Sequence, residues 1–190
     1  MKGRPVRGEE RRLARFWWGW GLALSMTGLL VLLASLPPFV GPKLRILLMQ
    51  GFSTVCHQIP ERSPVVDGVA LAVCHRCYGI YWGLPLAVLG FLALARWDAV
   101  LWKHSRYIML LALVPTSLDW LLGVLGVWHN TPLSRIATGG FLGLVAGYYL
   151  ARAMGQVFDA SPSTLKQRPS ADPLVPEERG SRRAGYSPLP

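Results

Sequence analysis

"FWWGWGLALSMTGLLVLLASL", residues 16–36, runs for 21 residues without a charged side chain. An α-helix needs about 20 apolar residues to cross the hydrocarbon core of a bilayer. Three further blocks repeat the pattern. Tyr78–Ala95 has 18 uncharged residues, and Tyr107–Trp128 has 22 residues with a single carboxylate, Asp119. Ile136–Ala151 has only 16, with Arg135 and Arg152 at its ends. Long arginine side chains can snorkel to the interface and let a short block span. The expected fold is therefore an all-α integral membrane protein: a bundle of about four transmembrane helices.

The chain of 190 residues carries a net charge of +10, from 20 Lys and Arg against 10 Asp and Glu. In a soluble protein such a balance points to nucleic acid. Here no nucleic-acid partner is expected, because the basic residues sort by topology. Fifteen of the 20 lie before the first block, between the second and third, or after the fourth. Lys43, Arg45, Arg62, Arg76 and Arg135 lie on the other side. The positive-inside rule then puts both termini in the cytoplasm of a cell-membrane protein, with the lipid bilayer as partner. Residues 1–15 form a basic amino terminus and residues 16–155 a membrane domain with an outward loop at 41–77. Residues 156–190, rich in proline, serine and arginine, form a tail expected to be disordered. The first block has the basic flank of a signal peptide, but its length and tryptophans favour a retained helix.

Between the first two blocks, "LPPFVGP" (36–42) ends a helix. In the next segment Leu44, Leu47, Leu48, Gly51, Phe52 and Val55 share one helical face. This predicts an interfacial amphipathic helix that delivers Cys56 to the membrane surface.

All three cysteines lie in the outward loop, in "CHQIPERS" (56–63) and "CHRCYGIY" (74–81). Cys74-x-x-Cys77 can aim two sulfurs at one ion or form a redox-active disulfide. Cys56 and His57 would complete a Cys3His set, which suits zinc. His75 and His129 are alternative fourth ligands. In a redox reading Cys74 and Cys77 are the active pair and Cys56 the partner thiol, since an odd cysteine can attack or resolve a mixed disulfide. A plain structural disulfide is the third possibility.

Asp119 is a carboxylate within a span, which costs several kcal/mol unless it is paired or faces water. Arg135 or Arg76 is the expected counter-ion. Arg62, Arg76, Asp119 and Arg135 are the candidate lining of a polar pocket. Gly139, Gly143 and Gly147 recur at spacing four, a pattern that lets helices approach closely and offers a face for homo-oligomers.

The two cysteine runs resemble the signature C-H-Q-x-P-x-R-S … C-x-R-C-x-G-I-Y of a family of small bacterial multi-pass membrane proteins of unknown function, the DUF2085-like proteins. Pro115, Asp119, Arg135, Thr138 and Gly139 resemble its later part, over roughly residues 40–150. The resemblance implies a membrane protein with a Cys/His cluster and supplies no activity. The architecture is also similar to membrane enzymes that make disulfides with quinone, although those carry a second outward cysteine pair. Three functions follow: an outward cluster binding a transition metal such as zinc, a membrane thiol–disulfide oxidoreductase, or a small transporter built on the Asp119/Arg135 pocket.

Overall fold

The computed structural model describes residues 7–159. Six helices make up most of it: α1 (Arg7–Ser35), α2 (Pro42–Ser53), α3 (His75–Leu94), α4 (Asp98–Lys103), α5 (Ser105–Val124) and α6 (Pro132–Asp159). Three segments are long and apolar enough to cross a membrane: Leu13–Ser35, His75–Lys103 and Ser105–Val124. The 28 residues of α6 are longer than the block at 136–151 and run past Gln156, where the tail was expected to begin. The rest of that tail, 160–190, and residues 1–6 lie outside the described residues. The third block ends earlier than expected. α5 stops at Val124, and the chain turns through Gly126 at φ 69°, so Trp128 lies in the turn.

α3 and α6 form the spine of the bundle. They run parallel, because matching positions rise together along both: Arg76 lies against Gly139, Ile80 against Gly143 and Leu84 against Gly147. The contact is backbone on backbone. A Cβ on Gly83 would fall 2.5 Å from the Gly140 carbonyl oxygen, and one on Gly147 would fall 2.5 Å from that of Leu84. Small residues at spacing four are what permit this approach where apolar side chains have no water to escape. The glycine face of α6, expected to be available for a second copy, is therefore covered by α3.

Two apolar clusters fill the bundle. At one end Ala23 of α1, Ala87, Val88 and Phe91 of α3, and Tyr148 and Ala151 of α6 pack together. There Arg152 does not snorkel free: its Nε pairs with Asp98 of α4 at 2.7 Å, and its guanidinium lies 4.0 Å from the Trp102 ring centre. The Tyr148 hydroxyl donates to the same carboxylate at 2.7 Å. At the other end Ala34, Phe52, Cys56, Ala72 and Val73 are buried together. The rest of α1, α3 and α5 exposes leucine, valine and tryptophan over much of its surface, including Leu29, Leu32, Leu89, Leu110, Leu111 and Leu118. An apolar surface of that extent on helices of this length suits lipid tails.

The packed side of α2 differs from the expected face. Leu48, Met49 and Phe52 turn toward the protein, while Leu44, Leu47 and Val55 stay exposed beside Ile46. Arg45 is drawn inward because its guanidinium donates to the carbonyls of Pro37 (3.0 Å) and Val40 (3.3 Å), capping the turn that "LPPFVGP" makes. Between α2 and α3 lies a hairpin that hydropathy does not reveal. β1 (Val65–Val66) pairs antiparallel with β2 (Val69–Ala70). Asp67 and Gly68 have φ values of 50° and 78°, the two positive angles of a type I′ turn.

Gly143→Ala forces a Cβ into the Ile80 backbone, whereas Gly90 has nothing within 4 Å of its added Cβ. We expect Gly143→Ala to destabilise the detergent-solubilised protein by about 1–3 kcal/mol. Gly90→Ala should match or exceed wild type. Thermal unfolding of the two variants side by side checks the spine.

Candidate metal centre

Two chain segments deliver the three cysteines, the end of α2 and the start of α3. Cys56 continues the last turn of α2, its N–H bonding the Phe52 carbonyl at 2.9 Å. Gln58 then reverses the chain at φ 49°, and its side-chain amide donates to the carbonyls of Met49 (2.7 Å) and Ala72 (2.8 Å). One glutamine thus ties the arm carrying Cys56 to the strand that leads into Cys74. Pro60 opens a short 3-10 turn, Pro60–Arg62, and the buried Ser63 hydroxyl closes it on the Ile59 carbonyl at 2.9 Å. The hairpin returns through Leu71, Ala72 and Val73, all buried, and Ala72 N–H bonds the end of α1 at Ala34 O. Cys74 is the N-cap of α3 and Cys77 lies within its first turn, so both sulfurs fall on one side of the helix start.

The three sulfurs all lie within 4.8 Å of one another. A tetrahedral ion with metal–sulfur bonds of about 2.3 Å holds its sulfurs about 3.8 Å apart, inside that limit. Cys56 is buried, and Cys74 and Cys77 are partly so. The Cys74 N–H points at Cys56 Sγ at 3.2 Å. A hydrogen bond from the Cys77 thiol draws the Cys74 thiol down to about 5, against the opposing effect of burial. A thiolate is the form that binds metal or attacks a disulfide. The positive ends of α3 and α6 both lie at this end of the bundle and favour negative charge here.

The histidines lie apart from the sulfurs. His57 is exposed and His129 lies in the turn before α6; both line the cavity beside the cluster without joining the sulfur group. His75 turns its Nδ1 to the Arg62 carbonyl at 2.6 Å.

The counter-ion of Asp119 is Arg76, not Arg135. Arg76 follows directly from the glycine contact, since its backbone lies on Gly139. The remaining capacity of the carboxylate is used by Ser134 Oγ at 3.0 Å and Asn130 Nδ2 at 3.1 Å. Asn130 reaches Asp119 because Gly123 leaves room, for a Cβ there would strike the Asn130 amide. Thr116 Oγ1 donates to the Thr138 carbonyl at 2.9 Å. These bonds fasten α5, whose buried apolar surface is small, to α6 and α3.

A cavity of about 450 Å³ opens beside the sulfurs. Its walls include all three cysteines, His57, Arg62, Arg76, His129, Asn130 and Arg135, with Ile80, Trp120, Val124 and Trp128 as the apolar part. Of the expected pocket residues, Arg62, Arg76 and Arg135 line it, and Asp119 stands behind Arg76. Gly123 is a structural part of the site that motif reading passes over, while Gln58 lies within the quoted C-H-Q run.

A helical, lipid-compatible bundle with a cysteine cluster at one end defines a membrane protein with a polar site near one surface. Residues 56–149 match the family model described as "Predicted membrane protein (DUF2085)". An uncharacterized protein of Methanothermobacter thermautotrophicus is 32% identical over 101 residues, covering 53% of this chain and 84% of that protein. An uncharacterized protein of Methanocaldococcus jannaschii is 30% identical over 105 residues, covering 55% of this chain and 67% of that protein. The chain belongs to this family of predicted membrane proteins, and the family has archaeal members. No solved structure matches it.

Removing one partner of a buried ion pair leaves the other charge uncompensated, at about 3–5 kcal/mol. Asp119→Leu and Arg76→Met should each destabilise strongly. The double variant should lose less than the sum, with a coupling of about 1–3 kcal/mol. Chemical unfolding of the four proteins in detergent measures that coupling, and additivity would mean the pair does not act as one unit.

Proposed function

We propose that this protein spans the cell membrane four times, with both termini cytoplasmic, and holds one transition-metal ion, zinc best fitting the donors, at its outward surface. The observation that carries the reading is the convergence of the chain's three cysteine sulfurs, one from the end of α2 and two from the start of α3, within 4.8 Å. A disulfide needs two of them; a closed soft-metal site uses all three. Ligands would be Cys56, Cys74 and Cys77, with His57 as the fourth, reached by closure of the exposed ring onto the cavity. Support for a fourth span comes from the length of α6, about 42 Å at 1.5 Å per residue. Its two arginines lie near the ends, and the central stretch 136–151 is uncharged.

A second reading has a specific observation behind it. The lowered Cys74 thiol beside Cys77 has the chemistry of a thiol–disulfide oxidoreductase pair, with Cys56 placed to resolve a mixed disulfide.

Elemental mass spectrometry on gently purified protein separates the two. The metal reading expects about one zinc per chain, lost in each of Cys56→Ser, Cys74→Ser and Cys77→Ser, with thiols becoming reactive only after chelation. His57→Ala should weaken retention less than any cysteine change. Metal-free protein with a Cys74–Cys77 disulfide that cycles with a reductant would replace this reading with the redox one.

A further inference from the structure

We propose that the cavity beside the cysteines is a binding site for a phosphate ester, held by Arg62, Arg76 and Arg135. Three guanidinium-bearing residues line this one cavity, and no aspartate or glutamate is among its lining residues. The nearby carboxylate, Asp119, is committed to Arg76, Ser134 and Asn130. Neither the Arg62 nor the Arg135 side chain has a hydrogen bond or ion pair among the described residues. Positive charge concentrated in this way attracts an anion beyond the cysteine thiolates that share the cavity wall. The starts of α3 and α6 add the positive ends of two parallel helices to the same region.

The charge and shape of the cavity select the ligand class. Two uncompensated guanidinium groups match a phosphate monoester, which carries nearly two negative charges, and each fork fits phosphate oxygens bidentately. The volume of about 450 Å³ exceeds what an inorganic ion needs, and Ile80, Trp120, Val124 and Trp128 supply an apolar wall for an organic body. That body can belong to a soluble ester or to an anionic phospholipid whose headgroup enters from the surrounding bilayer. The site is built from arginines and does not depend on the metal reading.

The test uses the full chain in phosphatidylcholine nanodiscs, with thermal unfolding as the readout. Glycerol 3-phosphate serves as the soluble probe, and discs containing phosphatidic acid, whose headgroup is a phosphate monoester, serve as the lipid probe. We expect a saturable rise in Tm with one of them. Affinity should fall about tenfold or more in Arg62→Gln and in Arg135→Gln, each of which removes charge-assisted bonds. Arg106→Gln, an exposed arginine outside the cavity, should bind as wild type. Arg62 is exposed and makes no side-chain bond within the described fold, so its variant should fold normally. A rise with phosphatidic acid alone identifies a lipid headgroup, and a rise with glycerol 3-phosphate in phosphatidylcholine identifies a soluble ester. Binding must survive chelation of metal and the Cys74→Ser change. The proposal is overturned if neither probe shifts Tm saturably, if both cavity arginine variants bind as wild type, or if binding disappears with the metal.

Discussion

The close parallel contact between α3 and α6 sets the position of everything else. Glycines on both helices let backbone touch backbone, as at Gly83 against Gly140 and Gly147 against Leu84. Because the helices are parallel, both begin at the same end of the bundle. Cys74, Arg76 and Cys77 at the start of one are brought beside Ser134 and Arg135 at the start of the other. An antiparallel pair would put these groups at opposite ends. The contact also aligns the two helix dipoles, and such alignment is unfavourable unless negative charge gathers at the shared amino-terminal end. Thiolates, Asp119 and any bound anion supply that charge.

Polar groups near a bilayer must find partners within the protein, and this chain provides them in two places. At the cysteine end Asp119 accepts from Arg76, Ser134 and Asn130. At the other end Asp98 accepts from Arg152 and Tyr148. Each network joins a helix of low buried area to the spine: α5 in the first case, α4 in the second. In lipid, where apolar contact between helices gains little over contact with acyl chains, such networks and tight packing determine which helices stay together. Arg62 and Arg135 stand outside these two networks and line the cavity.

Much of the architecture is legible in the sequence because the bilayer imposes a simple length rule. The uncharged blocks at 16–36 and 78–95 lie nearly within α1 and α3, and 107–128 overruns α5 by four residues. The spacing of Cys74 and Cys77 with Cys56 foretold sulfurs in one place. Side-chain pairing was less legible. Hydropathy assigns Asp119 a counter-ion of either Arg76 or Arg135, and the choice depends on how far α6 slides along α3, which the glycine register decides. Arg152 reads as a snorkelling residue because Asp98 lies 54 positions away in sequence. The hairpin at Asp67-Gly68 carried a local signal, a two-residue turn between valines, but it sits in a polar loop where span length says nothing. Gln58 belongs to the C-H-Q run, but the run does not say what its amide bonds. Its role comes from a positive φ and two distant carbonyls, neither of which has a sequence pattern.

The central claim is that Cys56, Cys74 and Cys77 bind one ion together. X-ray absorption at the zinc edge of the purified protein tests it most directly. The account predicts three sulfur scatterers at about 2.3 Å and one lighter nitrogen or oxygen. A first shell without sulfur, with light atoms only, would mean that any zinc present is bound elsewhere and that the three sulfurs do not form a metal centre.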